Sequence, residues 1–163
     1  MFLKYPFPFS LNADRAPQLK AGVRHLPLTM NIEVQPLGNE YRFDGKESGI
    51  VEVFESLSGL RIIVSTWTDS INEALLQVYF RRPHAYRYLD ELDLIAYWKT
   101  EKFRSPHHVY EITSGGWLNG EPSLPDMLDS ARNTGVREWF ISTTNGCMNV
   151  LAASPPEVAE LKR

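Results

Sequence analysis

The chain has 163 residues and a mass of 18.7 kDa, with 43% hydrophobic, 23% charged and 12% aromatic residues. That size suits one domain and excludes a long repeat array or disorder along most of the length. The formal charge of −3, with a pI near 5.8, supplies no general attraction to phosphate backbones or anionic lipids, which argues against nucleic acid and membrane as partners.

The first residues, Met1 to Leu11, are apolar but are broken by Pro6 and Pro8 and followed by Asn12, Asp14 and Arg15 without a cleavage pattern of small residues. They read as an extended aromatic and proline-rich arm and not as a signal peptide. No apolar run approaches the ~18 residues of a membrane span. Cys147 is the one cysteine, so no internal disulfide or cysteine-based zinc site can form. A cytoplasmic protein is therefore expected.

Alternation of polar and apolar residues predicts strands at Asn31–Gln35, Tyr41–Phe43, Ile50–Phe54 and Leu60–Trp67. Turns fall at Leu37-Gly38-Asn39, Asp44-Gly45-Lys46 and Leu57-Ser58-Gly59. Connections this short predict an antiparallel meander. Between Glu33 and Glu73 there are eight acids and three bases, so part of the meander is acidic.

Ser70 and Glu73 form a capping box, and Ile71, Ala74, Leu75 and Val78 follow at helical spacing, predicting a helix that Pro83 stops. Val78-Tyr79-Phe80 also reads as strand. A second helix is expected around Leu89, Leu92, Ile95 and Ala96, with Asp90 and Glu91 near its start and Lys99 near its end. His107–Thr113 reads as a strand ending at Ser114-Gly115-Gly116. Ser123, Pro125 and Asp126 open a third helix, closed by Gly135.

Val136–Ala152 reads as a hairpin hinged at Asn145-Gly146, with a two-residue turn pairing Thr144 with Cys147 and Ile141 with Val150. This puts Trp139, Ile141, Met148, Val150 and Ala152 on one core face, with Phe140, Ser142, Cys147, Asn149 and Leu151 opposite. Ser154 and Glu157 around Pro155-Pro156 predict a terminal helix through Val158 and Leu161. Together these elements form a single α+β domain over residues 1–163: an antiparallel sheet, built from the N-terminal meander and the C-terminal hairpin, packed with three to four helices.

No nucleophile elbow, phosphate-binding glycine loop or dinucleotide fingerprint is present. His107-His108-Val109-Tyr110-Glu111 is the only histidine cluster. On a strand His107 and Glu111 share a face, and a metal would need a further ligand such as His25 or His84. No metal, cofactor or catalytic residue is assigned. Arg81-Arg82-Pro83-His84-Ala85-Tyr86-Arg87-Tyr88 packs three guanidiniums and two phenols around a proline, a composition suited to recognition or to capping a helix end. The loop Ser114–Pro122 carries Trp117 and Glu121 among residues of free backbone.

These features favour a protein-binding module, with Arg81, Arg82, Tyr86, Arg87, Trp117 and Glu121 as partner-binding candidates. In its sharpest form it is an inhibitor or immunity-type protein that neutralises a toxin or enzyme by occlusion, a carboxylate-rich patch meeting a basic target. The alternatives are a small hydrolase with a composite site of His107, Glu111 and Glu121, and a structural subunit of a homo-oligomer.

Overall fold

The computed structural model describes residues 31–41, 46–69, 71–90, 93–103, 106–119 and 135–161. Nine strands and two single helical turns appear among them: β1 (Glu33–Leu37), β2 (Gly49–Ser56), β3 (Gly59–Trp67), β4 (Glu73–Phe80), β5 (Ala85–Leu89), α1 (Ile95–Trp98), β6 (Val109–Ser114), α2 (Gly116–Asn119), β7 (Arg137–Ser142), β8 (Cys147–Ala152) and β9 (Glu157–Leu161). The strands form two sheets, β1-β6-β7-β8-β5 and β2-β3-β4-β9, in which every pairing is antiparallel. The expected α+β fold of helices packed on one sheet is therefore corrected to a mostly β, two-sheet architecture. The third predicted helix up to Gly135, Arg42 and Phe43 of the predicted second strand, and the arm before Asn31 lie outside the described residues.

The sheets face each other across one apolar layer. Leu60, Ile62, Val64, Leu76, Val78 and Phe80 from the four-stranded sheet meet Val109, Trp139, Ile141, Met148, Val150 and Ala152 from the five-stranded sheet. Each set alternates along its strands, as one face of a pleated sheet requires. Edges are matched as well. Tyr86 of β5 donates its hydroxyl to Glu55 of β2 at 2.9 Å, and Tyr41, just beyond β1, donates to Glu160 of β9 at 3.2 Å.

The five-stranded sheet is buried on its other face too. Tyr110, Ile112, Phe140 and Cys147 pack there under Leu94, Tyr97 and Phe103 from the segment around α1. Tyr97 stacks on Phe140 at 5.0 Å between centroids and 7° between planes, and Phe103 lies 4.6 Å from the same ring. Such pairs add about 0.5–1.5 kcal/mol each beyond their buried area. Of the second predicted helix, one turn forms among the described residues; Leu89 instead closes β5.

The helix predicted from Ser70 is strand β4. Its sequence, EALLQVYF, satisfies both periods locally, but Ala74, Leu76, Val78 and Phe80 alternate to the core while β3 offers a partner along the whole length. Asp69 supplies the turn: Oδ1 accepts the N–H groups of Ile71 and Asn72, each at 2.9 Å. The predicted terminal helix is strand β9, which follows Pro155-Pro156 and pairs with β4. Prolines lack the ladder donor and stand naturally just before an edge strand.

The meander holds for β2, β3 and β4 but not for the first strand. Pro36 restricts β1 to an edge, and it takes that place beside β6, so the link to β2 crosses between sheets. The central hairpin β7–β8 forms with a register two residues from expectation: Ser142 pairs with Cys147 and Ile141 with Met148. A slip of two preserves the side of every residue, so the predicted core face is intact. The four-residue connection arises because Ser48 grips the turn, accepting from the N–H groups of Thr144 and Asn145 while Thr143 bonds the Gly146 carbonyl.

Candidate functional site

The residues singled out by sequence go to three separate places. Arg81 and Arg82 leave the end of β4 and, with His84, line a cleft of about 470 Å³ whose other wall is Ala152, Ala153, Ser154 and Pro155. Pro83 sits between them, and the His84 N–H donates to Leu151 O at 2.7 Å, so the segment is tied to both sheets. Tyr79 and Glu157, neighbours across β4 and β9, complete the lining. Arg81 and Arg82 are both exposed.

Tyr86, on β5, does not line that cleft and instead holds Glu55 of β2. That hydrogen bond, reinforced by desolvation and by the nearby carboxylate charge, raises the phenol above its ordinary value of 10.0. Arg87 and Trp117 meet on the outer face of the five-stranded sheet, with the guanidinium carbon 4.7 Å from the indole centroid. The Arg87 Nε donates to Asn149 Oδ1 at 3.1 Å and a terminal nitrogen donates to Tyr97 Oη at 2.9 Å. Glu121 lies outside the described residues.

Of the composite site suggested for a hydrolase, Glu121 lies outside the described residues, and the other two members are His107 and Glu111. His107 precedes β6, whereas the Glu111 carboxylate on β6 is taken by Arg137 in a two-pronged ion pair, Nε to Oε1 at 2.6 Å and a terminal nitrogen to Oε2. The pair raises the Arg137 pKa further from neutrality, chiefly through the Glu111 hydrogen bond. Among the described residues, no three His, Cys, Asp or Glu side chains gather where they could hold a metal. His108 is core: Nδ1 is 2.7 Å from Ser142 O and Nε2 is 2.6 Å from Thr66 Oγ1. Cys147 is buried, its thiol directed to Thr143 O at 3.6 Å.

The polar feature that sequence reading missed is Glu138, 1% exposed in the centre of the five-stranded sheet. Its carboxylate accepts from the N–H groups of Trp117 at 3.1 Å and Leu118 at 2.7 Å, and from Asn149 Nδ2 at 2.5 Å. Gly116 permits this approach, since a Cβ there would sit 2.8 Å from Glu138 Oε2. Three converging donors make the carboxylate an anchor for α2, and through Asn149 for Arg87. Its alternation with Phe140 and Ser142 was the available signal.

A third surface runs along one flank, where β2 and β5 are the edges of their sheets. Eight large hydrophobic side chains are exposed among the described residues, and six belong here: Val51, Val53 and Phe54 on β2, Leu57 in the next turn, and Tyr86 and Tyr88 on β5. The intervening charges on β2 are Glu52 and Glu55, with no base on the strand. Arg61 on β3 meets Glu52 at 2.5 Å in an exposed pair. Comparison with known proteins finds no matching family model, no matching curated protein and no matching solved structure.

Proposed function

We propose that the protein is a protein-binding module of inhibitor or immunity type, acting in a reducing compartment such as the cytoplasm, that docks through the β2–β5 flank and covers its partner's working surface. One observation supports the reading: among the described residues, six of the eight exposed large hydrophobics share a flank that includes an eight-residue strand edge with no described partner. Contiguous exposed apolar groups beside polar ones are the usual mark of a protein-binding surface. An extended partner segment added to β2 gains main-chain hydrogen bonds from the open edge, while Val53 and Phe54 supply desolvated anchors.

Charge selects the segment. β2 carries no base of its own and, with Glu52 paired to Arg61 of β3, Glu55 is its remaining acidic charge, so a strand bearing Lys or Arg is favoured over an acidic one. A second copy of this chain would bring the same two carboxylates to the edge, and this favours a different protein as occupant.

The test uses the full chain as bait against extract of its native host, beside a Val53→Lys/Phe54→Ser bait with an unchanged urea midpoint. The expected result is a protein held by the first bait, lost from the second, less active when bound, and slowing β2 amide exchange in the purified complex. Equal retention by both baits, recovery of no protein, or unchanged β2 exchange would overturn the proposal. So would concentration-dependent dimerisation abolished by Val53→Lys, which assigns the edge to a second copy.

A further inference from the structure

We propose that the Arg81–His84 cleft binds a small organic phosphate, a phosphomonoester on a polar carrier, independently of the β2–β5 flank. Three of the five arginines among the described residues have side-chain partners. Arg61 pairs with Glu52, Arg137 with Glu111, and Arg87 with Asn149, Tyr97 and Trp117. Arg81 and Arg82 are the other two, adjacent in sequence, lining one cleft, and without a side-chain hydrogen bond or ion pair to another described residue. Two neighbouring guanidiniums repel each other unless an anion sits between them, and each presents the planar fork that matches phosphate oxygens.

The scaffold restrains this pair. Pro83 limits the backbone after Arg82, and the bond from His84 N–H to Leu151 O fixes the exit of the segment against β8. His84 belongs to the same lining, and Ala152 and Ala153 contribute only small side chains to it. The volume of about 470 Å³ falls within the ~300–1,000 Å³ range of small-molecule sites. It greatly exceeds what one inorganic anion fills, which assigns the remainder to an organic carrier.

Glu157 decides what that carrier must be. Its carboxylate lines the cleft and opposes an anion placed beside it, so the phosphate belongs at the arginine side. Hydroxyl or amino donors of the carrier then face Glu157, and Ser154 offers a further hydroxyl. Sugar phosphates and nucleoside monophosphates share this chemistry.

Calorimetric titration of the full chain with ribose 5-phosphate, adenosine monophosphate, inorganic phosphate and ribose distinguishes the sources. Saturable binding is expected for at least one ester, tighter than for inorganic phosphate and absent for ribose. Arg81→Gln and Arg82→Gln should each weaken it about tenfold or more, the usual worth of a charged hydrogen bond. Arg82→Lys, which keeps the charge but loses the fork, should fall between wild type and Arg82→Gln. Unchanged urea midpoints keep these comparisons at the level of binding. No saturable binding by either ester, equal affinity for inorganic phosphate, or affinity indifferent to both Gln substitutions would overturn the assignment.

Discussion

Replacing Glu138 with alanine removes an acceptor that three donors share, and the structure sets the size of the loss. The Leu118 N–H and the Asn149 amide are buried, and the Trp117 N–H is partly so. A buried donor left unpaired costs about 1–3 kcal/mol, so the two buried donors alone give about 2–6 kcal/mol. Truncation also opens space lined by three donors, where a water can enter and restore part of the bonding. The expected net loss is about 2–4 kcal/mol, a large fraction of the ~5–15 kcal/mol that holds a domain together. With a urea slope of about 2 kcal/mol/M, the midpoint should fall by roughly 1–2 M. Glu138→Gln keeps one carbonyl for two of the donors but turns an N–H toward the third, so it should lie between wild type and alanine. In both variants the Trp117 and Leu118 amides should exchange faster. A midpoint change below about 0.25 M for Glu138→Ala, equivalent to roughly 0.5 kcal/mol, would refute the anchoring role.

Two glycines with left-handed φ differ in what would surround a new Cβ. At Gly59 (φ +145°) the Cβ would lie 2.2 Å from the Phe80 carbonyl oxygen, whereas at Gly146 (φ +150°) it meets the Tyr88 hydroxyl at 2.0 Å. Backbone cannot yield as the exposed Tyr88 can, so in urea unfolding Gly59→Ala should lose about 3 kcal/mol or more and Gly146→Ala clearly less. Asp69 is held below its ordinary 3.8 by the Ile71 N–H first, then by the Asn72 side chain and N–H. Its folded pKa is depressed, so the turn's contribution is present above 3.8 and fades as pH falls through the lower folded value; carboxyl titration by NMR should show Asn72→Ala moving Asp69 upward. Tyr86 is shifted the other way, above 10.0, so its contribution is complete below 10.0 and disappears as pH rises through the raised value. Glu55→Gln should bring the Tyr86 midpoint down in a difference titration against Tyr86→Phe, and no movement would remove the contact between sheet edges.

What the sequence revealed of this fold depended on how many readings a segment allowed. Trp139, Ile141, Met148, Val150 and Ala152 alternate without a competing period, and their shared face is the core face. The same hairpin's register was not legible, because Ser48, about a hundred residues earlier, sets the turn through contacts that no local pattern records. Ala74 to Phe80 and Glu157 to Leu161 support helix and strand alike, and a waiting partner strand settled both. Site residues divide similarly. Arg81 and Arg82 stood out by composition alone, whereas the union of Arg87 with Trp117 and Asn149 spans three elements. Glu138 was overlooked because a charged residue beside Arg137 reads as surface, although its parity with Phe140 and Ser142 put it among buried neighbours.

The four sheet edges are not equally open to another strand. β1 contains Pro36, which withholds a donor, and β9 is a five-residue strand that follows two prolines and carries Glu157 and Glu160. β5 is also only five residues long. Short length, proline and charge are the ordinary means of discouraging edge-to-edge association. β2 is eight residues long, has no proline, and exposes Val51, Val53 and Phe54; its defences are a register shift between Ile50 and Glu52 and the two carboxylates. Carboxylates repel another acidic edge but attract a basic one, so the same residues that guard β2 against its own copies leave it receptive to a strand of opposite charge.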